Sequence, residues 1–239
     1  MNDSVLSARA IAKSYASGFR RLQVLVAVDL DVQPREAVAV VGESGVGKST
    51  LLHILGGLDR PDAGQLLFRG RDVFGLEEQR RSEYRNRSVG FVFQFHHLLP
   101  ELTAVENVEM PLRIGRFPGD SRLAAVRLLT RLGLEDRLTH RPATLSGGEQ
   151  QRVAIARSVI CGPAMVLADE PTGNLDPATG TVVFSLLREL QKESDFALVV
   201  ATHSERIARG CDRILRLEDG RVRVVEEAEA RDFFGGVAR

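Results

Sequence analysis

Ala37-Val38-Ala39-Val40-Val41-Gly42-Glu43-Ser44-Gly45-Val46-Gly47-Lys48-Ser49-Thr50-Leu51-Leu52-His53-Ile54-Leu55 is the stretch from which the fold can be read. Five apolar residues of strand character run into a glycine-rich segment, and a helical apolar pattern follows until Gly56-Gly57 stops it. Gly42 to Ser49 satisfies GxxxxGK[ST] in the strand, loop, helix context that this pattern requires. Glycines let successive N–H groups and the helix N-terminus face an anion, so the backbone of Gly42, Glu43, Ser44, Gly45, Val46 and Gly47 forms a phosphate cradle. Lys48 would reach the β- and γ-phosphate oxygens of ATP, Ser49 would set its hydroxyl on Mg²⁺, and Thr50 would add a contact nearer the α-phosphate.

A phosphate loop alone leaves kinases, GTPases and many ATPases open. What separates them is the second metal contact and the group that acts on water. Met165-Val166-Leu167-Ala168-Asp169-Glu170 offers both: Asp169 at the C-terminal edge of an apolar strand can hold hydrated Mg²⁺, and Glu170 is then left to orient and polarise the attacking water. Taken by itself the pair is also what an acidic strand end looks like as it enters the turn Pro171-Thr172-Gly173. Some twenty residues upstream, Leu145-Ser146-Gly147-Gly148-Glu149-Gln150-Gln151-Arg152 opens a helix over Val153 to Ile160. Ser146 with the N–H groups of Gly147 and Gly148 at that helix N-terminus makes a second anion site.

Around these motifs strands and helices alternate, which predicts an α/β fold with a mainly parallel sheet. Apolar runs predict strands at Val24 to Val32, Gln65 to Phe68 and Ala197 to Ala201, and helical spacing covers Val182 to Leu190. Thr103 to Ile160 is mostly helical, with Gly133 as a C-cap, and Asp219-Gly220 is a two-residue hairpin signal. Glu77 to Arg85, of mixed charge, reads as a solvated helix face.

Composition excludes other classes. The formal net charge is zero, so the basic excess of a nucleic-acid binder is missing and no nucleic-acid partner is expected. The longest apolar runs are far below the roughly 20 residues of a spanning helix, and Met1-Asn2-Asp3-Ser4 lacks the basic and apolar regions of a secretory signal. Cys161 and Cys211 form no CxxC and read as buried thiols. Of 32 basic residues only Lys13, Lys48 and Lys192 are lysine, so a retained lysine points to a place for a compact point charge, and Lys48 is the case that matters.

LSGGEQQR resembles the signature of ABC ATPases, and the remaining motifs are similar to that family in order and spacing over virtually the whole chain. The resemblance implies a P-loop NTPase fold: a mainly parallel RecA-like sheet, an N-terminal antiparallel β subdomain and an inserted α-helical subdomain. It implies one domain over 1–239, with 1–94 and 164–239 as the core and its antiparallel part and 95–163 as the helical signature subdomain. By position, Tyr15 matches the aromatic that stacks on adenine, Gln94 the glutamine that senses Mg²⁺ and the water, Asp176 the aspartate of Gly173-Asn174-Leu175-Asp176, and His203 the switch histidine at the γ-phosphate. The segment before Val24 is poorly patterned, and an aromatic such as Tyr15 can also simply pack there. The family usually has aspartate after the histidine, where this chain has Ser204. In ABC ATPases two chains pair head to tail around ATP, each nucleotide lying between one P-loop and the other chain's signature, so a homodimer is implied when ATP is bound.

The run QFHHLLPELTAVENVEMPL from Gln94 to Leu112, with LLHILGGLD and LADEPTGNLD, resembles the LolD family of lipoprotein-releasing ATPases. That likeness implies two integral membrane subunits, LolC- and LolE-like or a homodimeric equivalent, and a peripheral place on the cytoplasmic face of the inner membrane. Phe95, Leu98, Leu99 and Leu102 would offer an apolar patch to a partner helix. MacB-like efflux and FtsE-like cell-division ATPases are the alternative. ABC ATPases of DNA repair and translation carry inserted coiled coils, zinc modules or a second such domain, and none of these is in the sequence.

Overall fold

The computed structural model describes residues 4–18 and 20–225, so the reading of Met1–Asp3 and the far end of the expected 1–239 domain lie outside the described residues. The chain runs β1 (Leu6–Ser17), β2 (Arg20–Val32), β3 (Ala37–Val41), α1 (Lys48–Leu55), β4 (Ala63–Phe68), β5 (Arg71–Asp72), α2 (Glu78–Arg87) and β6 (Val89–Phe93). It continues through α3 (Ala104–Ile114), α4 (Ser121–Arg131), two 3₁₀ turns at Glu135–Arg137 and Pro142–Thr144, and α5 (Gly147–Val159). β7 (Met165–Asp169), α6 (Pro177–Ser194), β8 (Ala197–Ala201), α7 (Glu205–Arg209), β9 (Arg213–Glu218) and β10 (Arg221–Val224) complete it. Two compact units result: residues up to Glu77 with those from Ala197 onward, and Glu78–Phe196.

In the first unit β3 lies parallel to both β8 and β9, in the order β10-β9-β3-β8. Every residue of β3 and β8 is buried. Parallel strands covered on both faces carry continuous apolar runs instead of alternation, and these two were legible for that reason. α1 buries Leu51, Leu52, Ile54 and Leu55, each worth roughly 1.5–3 kcal/mol of transfer free energy, which holds the start of the helix firmly behind the loop. The β9–β10 hairpin turns on Asp219 and Gly220 with φ of 48° and 71°, the left-handed pair a two-residue turn needs.

An antiparallel sheet of order β2-β1-β4-β5 belongs to the same unit. The pairing of β1 with β2 shifts register between Ala8 and Ile11, again before Lys13 and again before Ser14, with Ala10 at φ 49°. Each shift exchanges the faces of the following residues, so a strand of 12 residues shows no sustained period of two. That is why the segment before Val24 gave no pattern.

In the second unit β6 and β7 pair in parallel from Val89 opposite Met165 to Phe93 opposite Asp169. α5 approaches β6 so closely that a Cβ added at Gly90 would lie 2.2 Å from the Ser158 carbonyl oxygen. Gly90→Ala should therefore lower stability by about 1–3 kcal/mol, read as a drop in the thermal midpoint, because backbone must move to admit one methyl group. α2 buries only Tyr84 and pairs Glu78 with Arg81 and Arg85, the solvated helix its charge pattern predicts. After α4, Gly133 takes φ 68° next to the C-cap Leu132.

One expectation is corrected. Cys161 and Cys211 are half-buried, not buried. Cys161 stands past the end of α5, in the turn that Gly162 makes at φ 61°, and lines a groove with Asn86, Pro111 and Phe117. Cys211 donates its thiol to the Ile207 carbonyl at 3.5 Å. Among the described residues no helix is long and apolar enough to cross a membrane.

Candidate functional site

Val41 ends β3 and Lys48 opens α1, so Gly42 to Gly47 must reverse between a strand and a helix that are both fixed by burial. The loop closes around its own lysine: the buried Lys48 ammonium donates to the carbonyls of Gly42 and Glu43 at 2.9 Å each. From behind, the loop is pressed against its neighbours. A Cβ at Gly42 would lie 2.5 Å from the Leu217 carbonyl oxygen, and one at Gly47, whose φ is 112°, would lie 2.5 Å from Val24 Cγ1.

α1 starts at Gly47 with no side-chain cap and no acid in its first turn. By contrast α3, α4, α5 and α6 are capped by Thr103, Asp120, Ser146 and Asp176. A helix supplies no acceptor to its first N–H groups, so those of Lys48, Ser49 and Thr50 face the loop with the positive end of the dipole behind them. N–H groups, one ammonium and the hydroxyls of Ser49 and Thr50 are a donor set that fits a polyphosphate with a hard cation beside it.

His203 belongs to the same edge. β3 and β8 pair Val40 with Ala201, and Thr202 N–H still donates to the Val40 carbonyl at 3.0 Å. Gly42 and the exposed His203 each follow that pair by two residues, at the C-terminal ends of parallel neighbours. Such edges are where open α/β sheets bind ligands. Tyr15 also meets the first turn of α1, where a side-chain hydrogen bond from Thr50 acts on its hydroxyl.

The second unit repeats the arrangement. Phe93 pairs with Asp169, so Gln94 and Glu170 leave the C-terminal ends of β6 and β7 side by side in the ladder. Gln94 and Asn174 hold each other reciprocally: the Gln94 carboxamide donates to Asn174 Oδ1 at 3.1 Å and Asn174 Nδ2 donates to the Gln94 carbonyl at 3.0 Å. Gly173 is the residue that allows this, because a Cβ there would sit 2.9 Å from Gln94 Nε2. Glu170 takes φ 44°, a conformation unusual outside glycine, asparagine and aspartate, so the chain turns off the line of β7 at this residue.

Two residues that sequence reasoning missed secure the segment after Gln94. The carboxamide nitrogen of the fully buried Asn107 is shared among the carbonyls of Leu99, Leu102 and Thr103 at 3.0–3.1 Å, and its oxygen accepts from Leu99 N–H at 2.8 Å. Arg157 donates to the carbonyls of His96 and His97 at 2.8 and 2.7 Å. The signal for Asn107 was present: a polar residue in register with the buried Ala104, Val108 and Leu112 has to have a reason to be inside. Phe95 and Leu99 remain exposed on this segment.

At the start of α5, Ser146 and Glu149 form a capping box, Ser146 N–H donating to the Glu149 carboxylate at 2.7 Å and Glu149 N–H to Ser146 Oγ at 3.3 Å. The N–H groups of Gly147 and Gly148 sit in the first turn, where the helix has no acceptor for them. Both glycines pack on the start of α6: an added Cβ would meet Leu175 Cδ2 at 3.3 Å and Thr179 Cγ2 at 2.7 Å respectively. Asp176 caps α6, accepting from the N–H groups of Ala178 and Thr179, and its bonds to Thr179 hold its carboxyl below the ordinary carboxylate range.

Glu149 is the most shifted of these acids. The Ser146 N–H outweighs burial, and with the Ser146 hydroxyl and Arg137 it brings the carboxyl to about 2 from an ordinary 4.5. Its folded value lies below its unfolded value, so the stabilisation is complete above pH 4.5 and fades as pH falls toward 2. Glu149→Ala should cost about 1 kcal/mol at neutral pH, and the gap from wild type in chemical denaturation should close on acidification through that window.

Residues 25–173 match the family described as ABC transporter. Over 221 residues the chain is 51% identical to the "Lipoprotein-releasing system ATP-binding protein LolD" of Legionella pneumophila strain Paris, covering 92% of this chain and 97% of that one. The protein of the same name in Pseudomonas syringae pv. tomato is 52% identical over 220 residues, covering 92% and 97%. Among solved structures, the ATP-binding cassette MJ0796, in a dimeric post-hydrolysis state bound to ADP and Pi, superposes with a TM-score of 0.85 at 38% identity, covering 92% of this chain and 98% of that one. A loop built for polyphosphate, carboxylates at the end of β7 and these likenesses agree: the chain belongs to the ABC transporter ATP-binding family, among the lipoprotein-releasing system ATP-binding proteins.

Proposed function

We propose that this chain is the ATP-hydrolysing subunit of an ABC transporter that releases lipoproteins from the bacterial inner membrane toward the outer membrane. The observation that carries the hydrolytic part is the uncapped start of α1 behind a loop closed on Lys48. Lys48 and the loop N–H groups bind the β- and γ-phosphates of ATP, and Tyr15 takes the base. Ser49, Asp169 and Gln94 would hold Mg²⁺, which when bound would neutralise phosphate charge. Glu170 accepts a proton from the attacking water, and His203 steadies the γ-phosphate. Ser146, Gly147, Gly148 and Asp176 of a second copy complete the pocket, so the chain works as a homodimer when ATP is bound.

Similarity to LolD proteins along nearly the whole chain supports lipoproteins as the cargo. The homodimer would sit on the cytoplasmic face of the inner membrane beneath two integral membrane subunits, LolC- and LolE-like or a homodimeric equivalent. Exposed Phe95 and Leu99 supply apolar surface beside Gln94 for a partner helix, which would couple the partner to the nucleotide site. Capture of the tagged chain from gently solubilised membranes, with its integral partners identified by mass spectrometry, tests the assignment. Partners with a few spanning helices and a large periplasmic domain, active in lipoprotein release, are expected. An efflux permease with its outer-membrane channel, or a division protein, would replace the cargo and keep the ATPase.

A further inference from the structure

Lys13, Tyr15 and Asp59 form a closed set that the hydrolytic residues do not use. Lys13 Nζ donates to Asp59 Oδ1 and to the Arg60 carbonyl, at 2.7 Å each, and stands 5.1 Å from the centroid of the Tyr15 ring. The Tyr15 hydroxyl donates to the other oxygen of the same carboxylate, Asp59 Oδ2, at 2.6 Å. One carboxylate therefore holds the far end of the ring and the cation that lies over it. Burial pushes the Asp59 carboxyl up, but the hydrogen bonds from Lys13 and Tyr15 outweigh it and keep the group below the ordinary carboxylate range.

The backbone on which the ring sits is fixed as well. Ser14 N–H and Oγ donate to Asp62 Oδ2 at 2.9 and 2.7 Å, so the end of β1 is tied twice to the segment following α1. That segment leaves the helix whose first turn forms the phosphate site, and Thr50 of that turn reaches the Tyr15 hydroxyl. The choice of lysine is informative in a chain whose basic residues are otherwise almost all arginine. A compact ammonium with three rotatable donors can serve a carboxylate and a carbonyl at once and still lie over a ring, which a planar guanidinium does less well.

We infer that Lys13 and Asp59 are positioning residues for the nucleotide base: they lock the Tyr15 ring in one orientation, with the ammonium on one face and the other face left to a purine. A ring pinned at its hydroxyl and backed by a cation has little freedom left to lose when a base stacks on it. This rests on the reading of Tyr15 as the base-stacking residue, and the test separates the two.

Calorimetric titration of the full chain with MgATP and, separately, with magnesium tripolyphosphate gives the share of affinity that comes from the nucleoside. Tyr15→Ala should weaken ATP by roughly 5- to 50-fold, the scale of one base stacking on an aromatic side chain, and leave tripolyphosphate within about twofold. Lys13→Met and Asp59→Asn should each weaken ATP by about threefold or more with the same indifference to tripolyphosphate, and Lys13→Arg should fall between them and wild type. If Tyr15→Ala weakens ATP while Lys13→Met and Asp59→Asn leave it within about twofold, the positioning role is overturned and the base reading stands. If Tyr15→Ala itself changes nothing, the base reading fails and the positioning role with it. Equal losses for ATP and tripolyphosphate in the Lys13 and Asp59 variants would reduce the set to a structural clamp and overturn the inference.

Discussion

Glu170→Gln is expected to bind MgATP about as well as wild type, to turn over at least about a hundredfold more slowly, and to accumulate as an ATP-bound dimer. Carboxamide replaces carboxylate without change of shape, so the left-handed backbone at φ 44° and the bond from Gly173 N–H to the Glu170 carbonyl at 3.0 Å are kept. What is lost is the proposed proton acceptor. General-base contributions of roughly 10²–10⁴ set the expected size. Asp169, one residue earlier at the end of β7 and the proposed holder of Mg²⁺, is untouched, which is why binding and hydrolysis should separate in this variant. Single-turnover hydrolysis and size-exclusion chromatography with ATP measure the two halves. A wild-type rate would remove Glu170 from the chemistry.

Lys48→Ala should act earlier, on binding itself. Its ammonium is buried inside the loop and donates to the Gly42 and Glu43 carbonyls at 2.9 Å each, so it is placed before nucleotide arrives. Losing a charge-assisted bond to phosphate, about 1.5–3 kcal/mol, predicts ATP affinity weaker by at least about tenfold. Because a ligand that binds the folded state raises its stability, MgATP should lift the thermal midpoint of wild type and leave that of Lys48→Ala nearly unchanged. Equal shifts in both proteins would count against the phosphate loop.

The parts of this molecule that were legible are those whose physics is local. Gly42 to Ser49 announces a loop because the glycines and the flanking apolar runs are contiguous, and Gly47 indeed adopts φ 112° with Val24 packed behind it. β3, β8 and the Asp219-Gly220 turn were readable for the same reason. β1 was not, because its register shifts at Ile11, Lys13 and Ser14 are set by the strands on either side of it. The assignment of Tyr15 came from likeness alone, and no local pattern revealed that Lys13 and Asp59 surround it. Likewise Asn107 and Arg157 support the segment after Gln94 through bonds to carbonyls 4 to 61 residues away in sequence, and such bonds leave little trace in a one-dimensional pattern. Cys161 was misjudged because thiols are usually buried, whereas this one lies in a turn outside the sheet.

ATP hydrolysis by this chain is proposed to drive lipoprotein release. The most direct measurement is release of a labelled lipoprotein from proteoliposomes that contain the captured membrane subunits with either wild-type chain or Glu170→Gln. Release that requires ATP and wild-type chain, and is absent with Glu170→Gln although the complex forms and binds ATP, is the predicted result. ATP-dependent release at the same rate with Glu170→Gln, or retention of the lipoprotein while wild-type chain hydrolyses ATP in the intact complex, would contradict it.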